Sequence, residues 1–289
     1  MTTLSVNGET RVIGIFGHPI AHTRSPAMHN AAFRALSLPY IYIPFAVSPS
    51  ALGKATSSIR SLNLVGVNVT VPHKEKILRY LDELSPAASL YRAVNTVINR
   101  HGSLYGENTD GQGFLRSLAE RRRSVRDREV VLIGAGGAAR AVLVALIQAG
   151  SAQITITNRT QANAKKLIRT YQSLGPTRLV AASLDALQDP AHLKRAALVV
   201  NSIPLGLHDA TFPALDYGAT PRRCLFYDLV YRPQPGVFLQ RAHHAQRPTL
   251  DGRRMLLHQG ALAFELWTGH PAPLRVMSSA LTRSLTVPA

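Results

Sequence analysis

The stretch Val130-Val131-Leu132-Ile133-Gly134-Ala135-Gly136-Gly137-Ala138-Ala139-Arg140 decides the fold. Four apolar residues run straight into a turn of glycine and alanine, and Ala141 to Ala149 continues as an Ala/Leu/Val run of strong helix formers. That order predicts strand, tight turn and helix. Gly134 allows the tight turn, Gly136 lets the backbone approach a pyrophosphate, and Ala139 is small enough for close helix-strand packing. The helix N-terminus adds free N–H groups and the positive end of its dipole. A lone Gly-x-Gly-x-x-Gly/Ala is a weak signal. Here the strand and the helix stand where a dinucleotide-binding unit needs them.

Downstream, Gln153 to Thr157 reads as a second strand that ends in Asn158-Arg159-Thr160. A site for NAD usually carries an acidic residue there for the ribose 2′-hydroxyl. Arg159 in its place favours a 2′-phosphate, hence NADP. The alternative is an ordinary strand-to-helix loop with a solvated arginine.

Length and composition set the frame. A chain of 289 residues has room for two domains, and 46% hydrophobic residues are ample for packed cores. No apolar run approaches the ~20 residues that span a bilayer, and Met1 to Thr10 lacks the apolar core of a signal peptide. A soluble, cytoplasmic protein with no membrane partner is expected. The single cysteine, Cys224, excludes an intrachain disulfide and a cysteine-rich metal site, so no metal is expected. In Cys224-Leu225-Phe226-Tyr227 it reads as a buried strand residue. The net charge is +17, and its densest cluster is Arg121, Arg122, Arg123, Arg126 and Arg128. No aromatic residues are interleaved there for base stacking, so the cluster reads as a solvated helix end and linker rather than a phosphate-binding patch. No nucleic-acid partner is expected. The oligomeric state is left open, a homodimer included.

Ahead of the glycine turn, strand and helix patterns alternate. Arg11 to Gly17 reads as a strand, and Ser25 as N-cap with Pro26 as first residue opens a helix to about Leu36. An alternating strand over Tyr40 to Val47, a helix over about Pro49 to Arg60 and a strand over Leu64 to Thr70 follow. This spacing predicts βαβ units and a mainly parallel sheet. Pro72 to Leu81 reads as a short helix, Ser85-Pro86 as loop, and Val94 to Asn99 as a strand. A turn at His101-Gly102-Ser103 and a return over Leu104-Tyr105-Gly106 lead to a helix from Asp110 to about Arg121. Beyond the glycine turn come a helix from Gln161 to about Leu174, strands near Arg178 to Ala181 and over Ala196 to Val200, and an irregular stretch at Ile203-Pro204-Leu205-Gly206. A strand over Leu225 to Val230 precedes helices over Gly236 to Gln246, Met255 through Trp267, and within Pro273 to Leu285.

Three polar constellations break apolar strand ends, where open α/β sheets bind ligands. In Thr23-Arg24-Ser25 two hydroxyls are spaced to meet one anion, or simply to cap the next helix. In Asn68-Val69-Thr70-Val71-Pro72-His73-Lys74, Pro72 stops the ladder and leaves Lys74 at a helix start, where a cation opposes the dipole. A lysine that transfers a proton or holds substrate gives that placement a reason; a solvated lysine is the alternative. In Asn95-Thr96 with Asn108-Thr109-Asp110, Asp110 can cap the next helix, pair with Lys74, or both. A lysine-carboxylate pair beside a hydride acceptor implies alcohol oxidation, the pair taking the hydroxyl proton.

Gly17 to Pro26, Asn68 to Lys74, Ala93-Val94-Asn95-Thr96, Asn108-Thr109-Asp110-Gly111, Gly134 to Arg140, Asn158-Arg159-Thr160, Tyr227 to Tyr231 and Asp251-Gly252 to Gln259 form one set. From Val12 to Trp267 the chain resembles the shikimate dehydrogenase family. The resemblance implies NADP-dependent, reversible reduction of 3-dehydroshikimate to shikimate, on the route to chorismate and the aromatic amino acids. It implies Lys74 and Asp110 as the catalytic pair, Thr23 and Ser25 on the substrate carboxylate, and Thr70, Asn95, Asp110, Tyr231 and Gln259 on the ring hydroxyls. On the cofactor it places Gly134, Ala135, Gly136, Gly137, Ala138, Asn158, Arg159, Thr160, Leu229, Gly252 and Met255. The implied fold is α/β and two-lobed: a substrate-binding domain over residues 1–109 and 252–289, to which the late helices return, and a Rossmann-type NADP-binding domain over 110–251.

Four positions depart from the family pattern. Thr23 replaces the usual serine and sets an extra methyl against the carboxylate site. Asn163 stands where members using NADP often have a second arginine, so the 2′-phosphate leans on Arg159, helped by Lys165 or Lys166. Val200-Asn201-Ser202-Ile203-Pro204 varies a loop usually richer in hydroxyls, and Arg254 replaces a frequent glycine. A quinate-oxidising paralogue, with relaxed NAD or NADP use, is the second reading. A non-catalytic nucleotide- or nucleic-acid-binding protein is a remote third, against which the intact Lys74 and Asp110 pair stands.

Overall fold

The computed structural model describes residues 6–203 and 212–286. Of the expected irregular stretch, Pro204, Leu205 and Gly206 lie outside the described residues. The chain divides into two compact units, Met1–Gly113 with Leu256–Ala289, and Phe114–Met255.

The first unit begins with β1 (Arg11–Gly17), α1 (Ser25–Ala35), β2 (Tyr40–Ala46), α2 (Leu52–Ser61) and β3 (Gly66–Val69). After a 3₁₀ turn over Lys76–Tyr80 come β4 (Glu83–Leu84), α3 (Pro86–Tyr91), β5 (Thr96–Arg100), β6 (Ser103–Glu107) and the start of α4 (Asp110–Glu120). The sheet order is β2-β1-β3-β5-β6-β4. It is mainly parallel, as the spacing predicts, with one exception: β5 alone runs antiparallel to its neighbours, β3 and β6. The cause lies in the two residues between β5 and β6. His101 and Gly102 both take positive φ, 53° and 94°, the geometry of a tight hairpin turn that folds β6 back on β5.

Three local readings differ from the structure. Ser25 is the first residue of α1 and not its cap, since Arg24 holds the cap position and no side chain caps the helix. Pro72 to Leu81 is a turn followed by 3₁₀ helix, so Lys74 precedes the helical segment. The Ser85-Pro86 loop opens α3, with Ser85 Oγ accepting from Ala88 N at 2.9 Å, a cap whose helix is too short to carry a periodic signal.

The second unit contains β7 (Glu129–Ile133), α5 (Gly137–Gln148), β8 (Gln153–Thr157), α6 (Gln161–Tyr171) and β9 (Arg178–Ala182). A 3₁₀ turn over Leu184–Leu187 leads to α7 (Pro190–Leu193), β10 (Ala196–Asn201), β11 (Leu225–Asp228), α8 (Val237–His244) and β12 (Thr249–Leu250). All pairs are parallel, in the order β12-β11-β10-β7-β8-β9. The order reverses between β7 and β10, the topological switch point of a doubly wound sheet. Cys224 is buried one residue ahead of β11 rather than within it, and burial pushes its thiol up to about 12.

The last two helices are α9 (Arg253–Thr268) and α10 (Leu274–Thr286). From Leu256 onward they belong to the first unit. Trp267 donates its Nε1–H to Val97 O at 2.9 Å, and Phe264 stacks on Phe33 at 5.3 Å. Gly66 makes the tryptophan's approach feasible, because a Cβ there would collide with both Val97 O and the indole nitrogen. Among the described residues no helix is long and apolar enough to cross a membrane.

Candidate active site

The mixed sheet of the first unit assembles the polar constellations. Because β5 runs against its neighbours, its first residue, Thr96, pairs in register with Asn68 of β3 on one side and Glu107 of β6 on the other. One sheet edge thus receives the end of β3, the start of β5 and the end of β6. A purely parallel sheet would have sent Asn95-Thr96 to the opposite edge.

Asn95 is the hub. Its Nδ2 lies 2.9 Å from Asp110 Oδ1, 2.9 Å from Thr109 Oγ1 and 3.2 Å from Gln259 Oε1. Its Oδ1 accepts from Thr109 N at 2.9 Å and Thr96 Oγ1 at 3.0 Å. Asn68 Nδ2 donates to Asn95 O at 3.0 Å and Thr96 Oγ1 at 3.1 Å. Asn68, Asn95, Thr96, Thr109 and Asp110 are all buried. Buried polar groups are costly unless paired, so the completeness of this network holds each member in one orientation.

Lys74 Nζ sits 2.7 Å from Asp110 Oδ2. The lysine side chain is 28% exposed and the aspartate 9%, so the lysine is partly open to solvent while its partner is enclosed. The turn that carries Lys74 is fixed on both sides: the buried His73 ring bonds Val47 O at 2.7 Å, and Lys74 O accepts from Val94 N at 2.8 Å. Asp110 is not a helix cap. Its carboxylate is taken by Lys74 and Asn95, while its own N–H donates to Asn108 Oδ1 at 3.0 Å. Beside it, burial and then the Asp110 charge push the Tyr91 hydroxyl up to about 12, and Tyr91 packs so closely on Gly111 that a Cβ there would strike its oxygen.

Thr23 is half-buried and its Oγ1 accepts from Ser25 N at 3.4 Å; Ser25 itself is buried. Thr70 follows β3 directly and is bonded through its N–H to Phe16 O at 2.9 Å. Gln259 on α9 joins the cluster through Asn95, and its carbonyl accepts from Thr109 Oγ1 at 3.0 Å. Tyr231 is not among these residues; it belongs to the second unit. Tyr42 was missed from sequence: its hydroxyl donates to Asn68 Oδ1 at 2.7 Å, yet an alternating strand offers no sign that one tyrosine is tied to a polar site.

In the second unit, Gly134 follows β7 with φ 111°, and a Cβ there would meet Ser202 Oγ. Gly136 holds the N-cap of α5, where no side chain caps the helix and a Cβ would meet nothing. Gly136, Gly137 and Ala138 are exposed and Ala135 is half-buried. Bare first-turn N–H groups at the switch point of a parallel sheet suit a pyrophosphate, so the residues present fit a dinucleotide. Arg159 and Thr160 are exposed after β8, and Asn158 Nδ2 ties the loop to Thr160 O at 2.9 Å. Asn163, Lys165 and Lys166 are exposed on α6. Leu229 and Gly252 meet through their backbones, since a Cβ on Gly252 would collide with Leu229 O; Met255 ends the unit. Arg254 is engaged with Glu120, Nη1 to Oε1 at 2.9 Å. Asp228, at the end of β11, is bonded by Asn201 Nδ2 at 2.9 Å, and burial raises its carboxyl to about 6.

The chain matches family models described as shikimate dehydrogenase substrate binding domain over residues 15–97, shikimate/quinate 5-dehydrogenase over 117–204, and shikimate 5′-dehydrogenase C-terminal domain over 252–282. It is 47% identical over 281 residues to a shikimate dehydrogenase (NADP(+)) of Symbiobacterium thermophilum, covering 96% of both chains. The structure is similar to a shikimate 5-dehydrogenase from Listeria monocytogenes in complex with shikimate and NAD, with TM-score 0.90, 34% identity and coverage of 97% of this chain and 99% of that one. It is also similar to a shikimate 5-dehydrogenase from Thermus thermophilus in complex with NADP(H) and shikimate, with TM-score 0.85, 37% identity and coverage of 96% and 100%. At this identity along nearly the whole length, the chain belongs to the shikimate dehydrogenase family.

Proposed function

We propose that the chain catalyses the reversible, NADP-dependent reduction of 3-dehydroshikimate to shikimate. The observation that carries this reading is the Lys74–Asp110 pair, 2.7 Å apart and held from behind by Asn95. In the reducing direction Lys74 Nζ gives a proton to the 3-oxo oxygen; in the oxidising direction it takes the proton of the 3-hydroxyl. Asp110 Oδ2 keeps the amine aimed and compensates its charge. NADP, when bound, supplies the acceptor or donor of the hydride that leaves or reaches carbon 3.

The remaining residues bind and orient. Thr23 and Ser25 hold the substrate carboxylate, and Thr70, Asn95, Asp110, Tyr231 and Gln259 hold the ring hydroxyls. The turn over Gly134, Ala135, Gly136, Gly137 and Ala138 holds the cofactor pyrophosphate, and Asn158, Arg159 and Thr160 hold the adenosine 2′-phosphate end. Leu229, Gly252 and Met255 complete the cofactor site. Residues 1–109 and 252–289 form the substrate domain and 110–251 the NADP domain, a division supported by the two compact units. Positive charge suits both ligands, since each is an anion whose local concentration a basic surface raises.

The test is a set of initial rates with shikimate or quinate, each with NADP or NAD, followed by nicotinamide absorbance. Shikimate with NADP is expected to dominate. Dominance of quinate or of NAD overturns the reading and makes Thr23 and Asn163 the specificity determinants.

A further inference from the structure

All six strands of the second unit's sheet run parallel, so all begin at one edge and end at the opposite one. The glycine turn and the Arg159 loop follow strand ends. The edge of strand beginnings is basic almost strand by strand. Arg128 precedes β7, Arg195 precedes β10, Arg223 precedes β11 and Arg178 opens β9, all exposed. Arg247, ahead of β12, is half-buried with its guanidinium bonded to Thr220, Gly218 O and Ala245 O, and adds charge without a free fork. Only β8 starts on neutral residues. Along the chain these arginines are far apart, and the parallel register is what gathers them.

The Arg-rich stretch after α4, which taken alone reads as a solvated linker, joins the same edge, and that placement changes its reading. Arg123 donates to Arg223 O at 3.3 Å, which ties this stretch to the segment ahead of β11 and brings exposed Arg121, Arg122 and Arg126 with it. Two carboxylates stand at this edge: Glu129, whose 2.8 Å pair with Arg195 cancels one of the edge charges, and exposed Asp127 beside Arg128. The excess therefore rests on Arg128, Arg178, Arg223 and the Arg-rich stretch. Six strands at about 4.8 Å spacing span about 24 Å. Over that length duplex DNA presents about 14 phosphate charges.

We propose that this basic edge binds the sugar-phosphate backbone of a duplex nucleic acid, without reading its sequence and at the opposite edge of the sheet from the dinucleotide turn. Arginine forks match phosphate oxygens bidentately, and arginine dominates the edge. A protein partner would require an apolar or aromatic centre to the patch. Every exposed large hydrophobic side chain among the described residues lies in the first unit, so the second offers no such anchor. A single strand would require interleaved aromatic residues for base stacking, which the Arg-rich stretch lacks.

The experiment titrates the full chain against a labelled duplex DNA of mixed sequence, about two helical turns long, by fluorescence anisotropy across a salt series with and without NADP. Binding with a Kd of roughly 10⁻⁴ to 10⁻⁶ M near physiological salt is expected, with log K falling linearly against log salt. The triple variant Arg126→Gln/Arg128→Gln/Arg223→Gln should bind at least ~10-fold more weakly at low salt and flatten the slope by about 0.9 per lost contact, with unchanged shikimate kinetics. A control, Arg34→Gln/Arg79→Gln/Arg275→Gln, removes equal charge from exposed positions of the first unit and should bind as wild type. The proposal is overturned by absence of binding at low salt, by equal loss in both triple variants, by displacement of the duplex at NADP concentrations near its KM, or by polyglutamate binding as tightly as DNA.

Discussion

Tyr42 and Asn68 are joined by a buried hydrogen bond, 2.7 Å from the tyrosine hydroxyl to Asn68 Oδ1. The bond fixes which way the Asn68 amide faces, so its Nδ2 is turned to Thr96 Oγ1 at 3.1 Å. Thr96, having accepted there, directs its own hydrogen at Asn95 Oδ1, 3.0 Å away. Asn95 is left with Nδ2 facing Asp110 Oδ1 at 2.9 Å. A tyrosine in the core thereby sets the direction of an amide beside the Lys74–Asp110 pair. Tyr42→Phe should leave Asn68 Oδ1 buried and unpaired, at about 1–3 kcal/mol in urea unfolding. Thr96→Val, one bond nearer the pair, should lower kcat up to ~10-fold by loosening Asn95, and Thr96→Ser should restore it. An unchanged kcat in Thr96→Val would leave the chain of bonds with a purely structural part.

Removing either member of the pair should be severe. Lys74→Ala and Asp110→Asn are each expected to lower turnover by at least ~100-fold, the lower end for general acid-base groups. Near-native circular dichroism with that loss assigns it to chemistry. Turnover like wild type in either variant refutes the proton-transfer role.

Arg159 is exposed at the end of β8, and Asn163, Lys165 and Lys166 are exposed nearby on α6. Under the proposed function, with asparagine at 163, recognition of the 2′-phosphate falls mainly to the guanidinium of Arg159. Arg159→Ala should raise KM for NADP on the order of 10-fold or more, about the worth of one charge-assisted contact, and leave KM for NAD nearly unchanged. Equal increases for both would assign Arg159 to holding the loop.

The second unit was legible because its code is local. Gly134, Gly136 and Ala139 stand at fixed offsets between a β-branched run and an alanine-rich helix, and the parallel sheet follows from repeated βαβ spacing. The first unit was legible only in part. A hairpin at His101-Gly102 reverses β6, and no periodicity announces that β5 will sit antiparallel beside β3. The polar residues Asn68, Asn95 and Asp110 could be picked out as breaks in apolar strand ends. Their mutual bonding could not, because it depends on the register of three strands. Ser25 and Asp110 were both good cap residues by type. Tertiary partners claimed the Asp110 carboxylate, and α1 starts at Ser25 itself, with Arg24 at the cap position.

His29 offers a pH test confined to the first unit. It is fully buried on α1, stacks on Tyr42 at 4.4 Å, and neither ring nitrogen has a hydrogen-bond partner. Burial lowers its pKa from 6.5 to about 3, so the folded chain keeps it neutral while the unfolded chain protonates it below 6.5. In that window the unfolded state binds more protons, and stability is lost as pH falls from about 6.5 towards 3. At about 1.4 kcal/mol per pH unit, the loss between pH 7 and pH 5 is on the order of 2 kcal/mol. His29→Phe keeps an aromatic ring on Tyr42 and removes the titration. The single tryptophan, Trp267, lies 5.7 Å from His29, so its fluorescence in urea reports the unit concerned. The difference in unfolding free energy between variant and wild type should shift in the variant's favour by about 2 kcal/mol from pH 7 to pH 5. A difference that is constant with pH would mean that His29 is solvated or paired in the folded state.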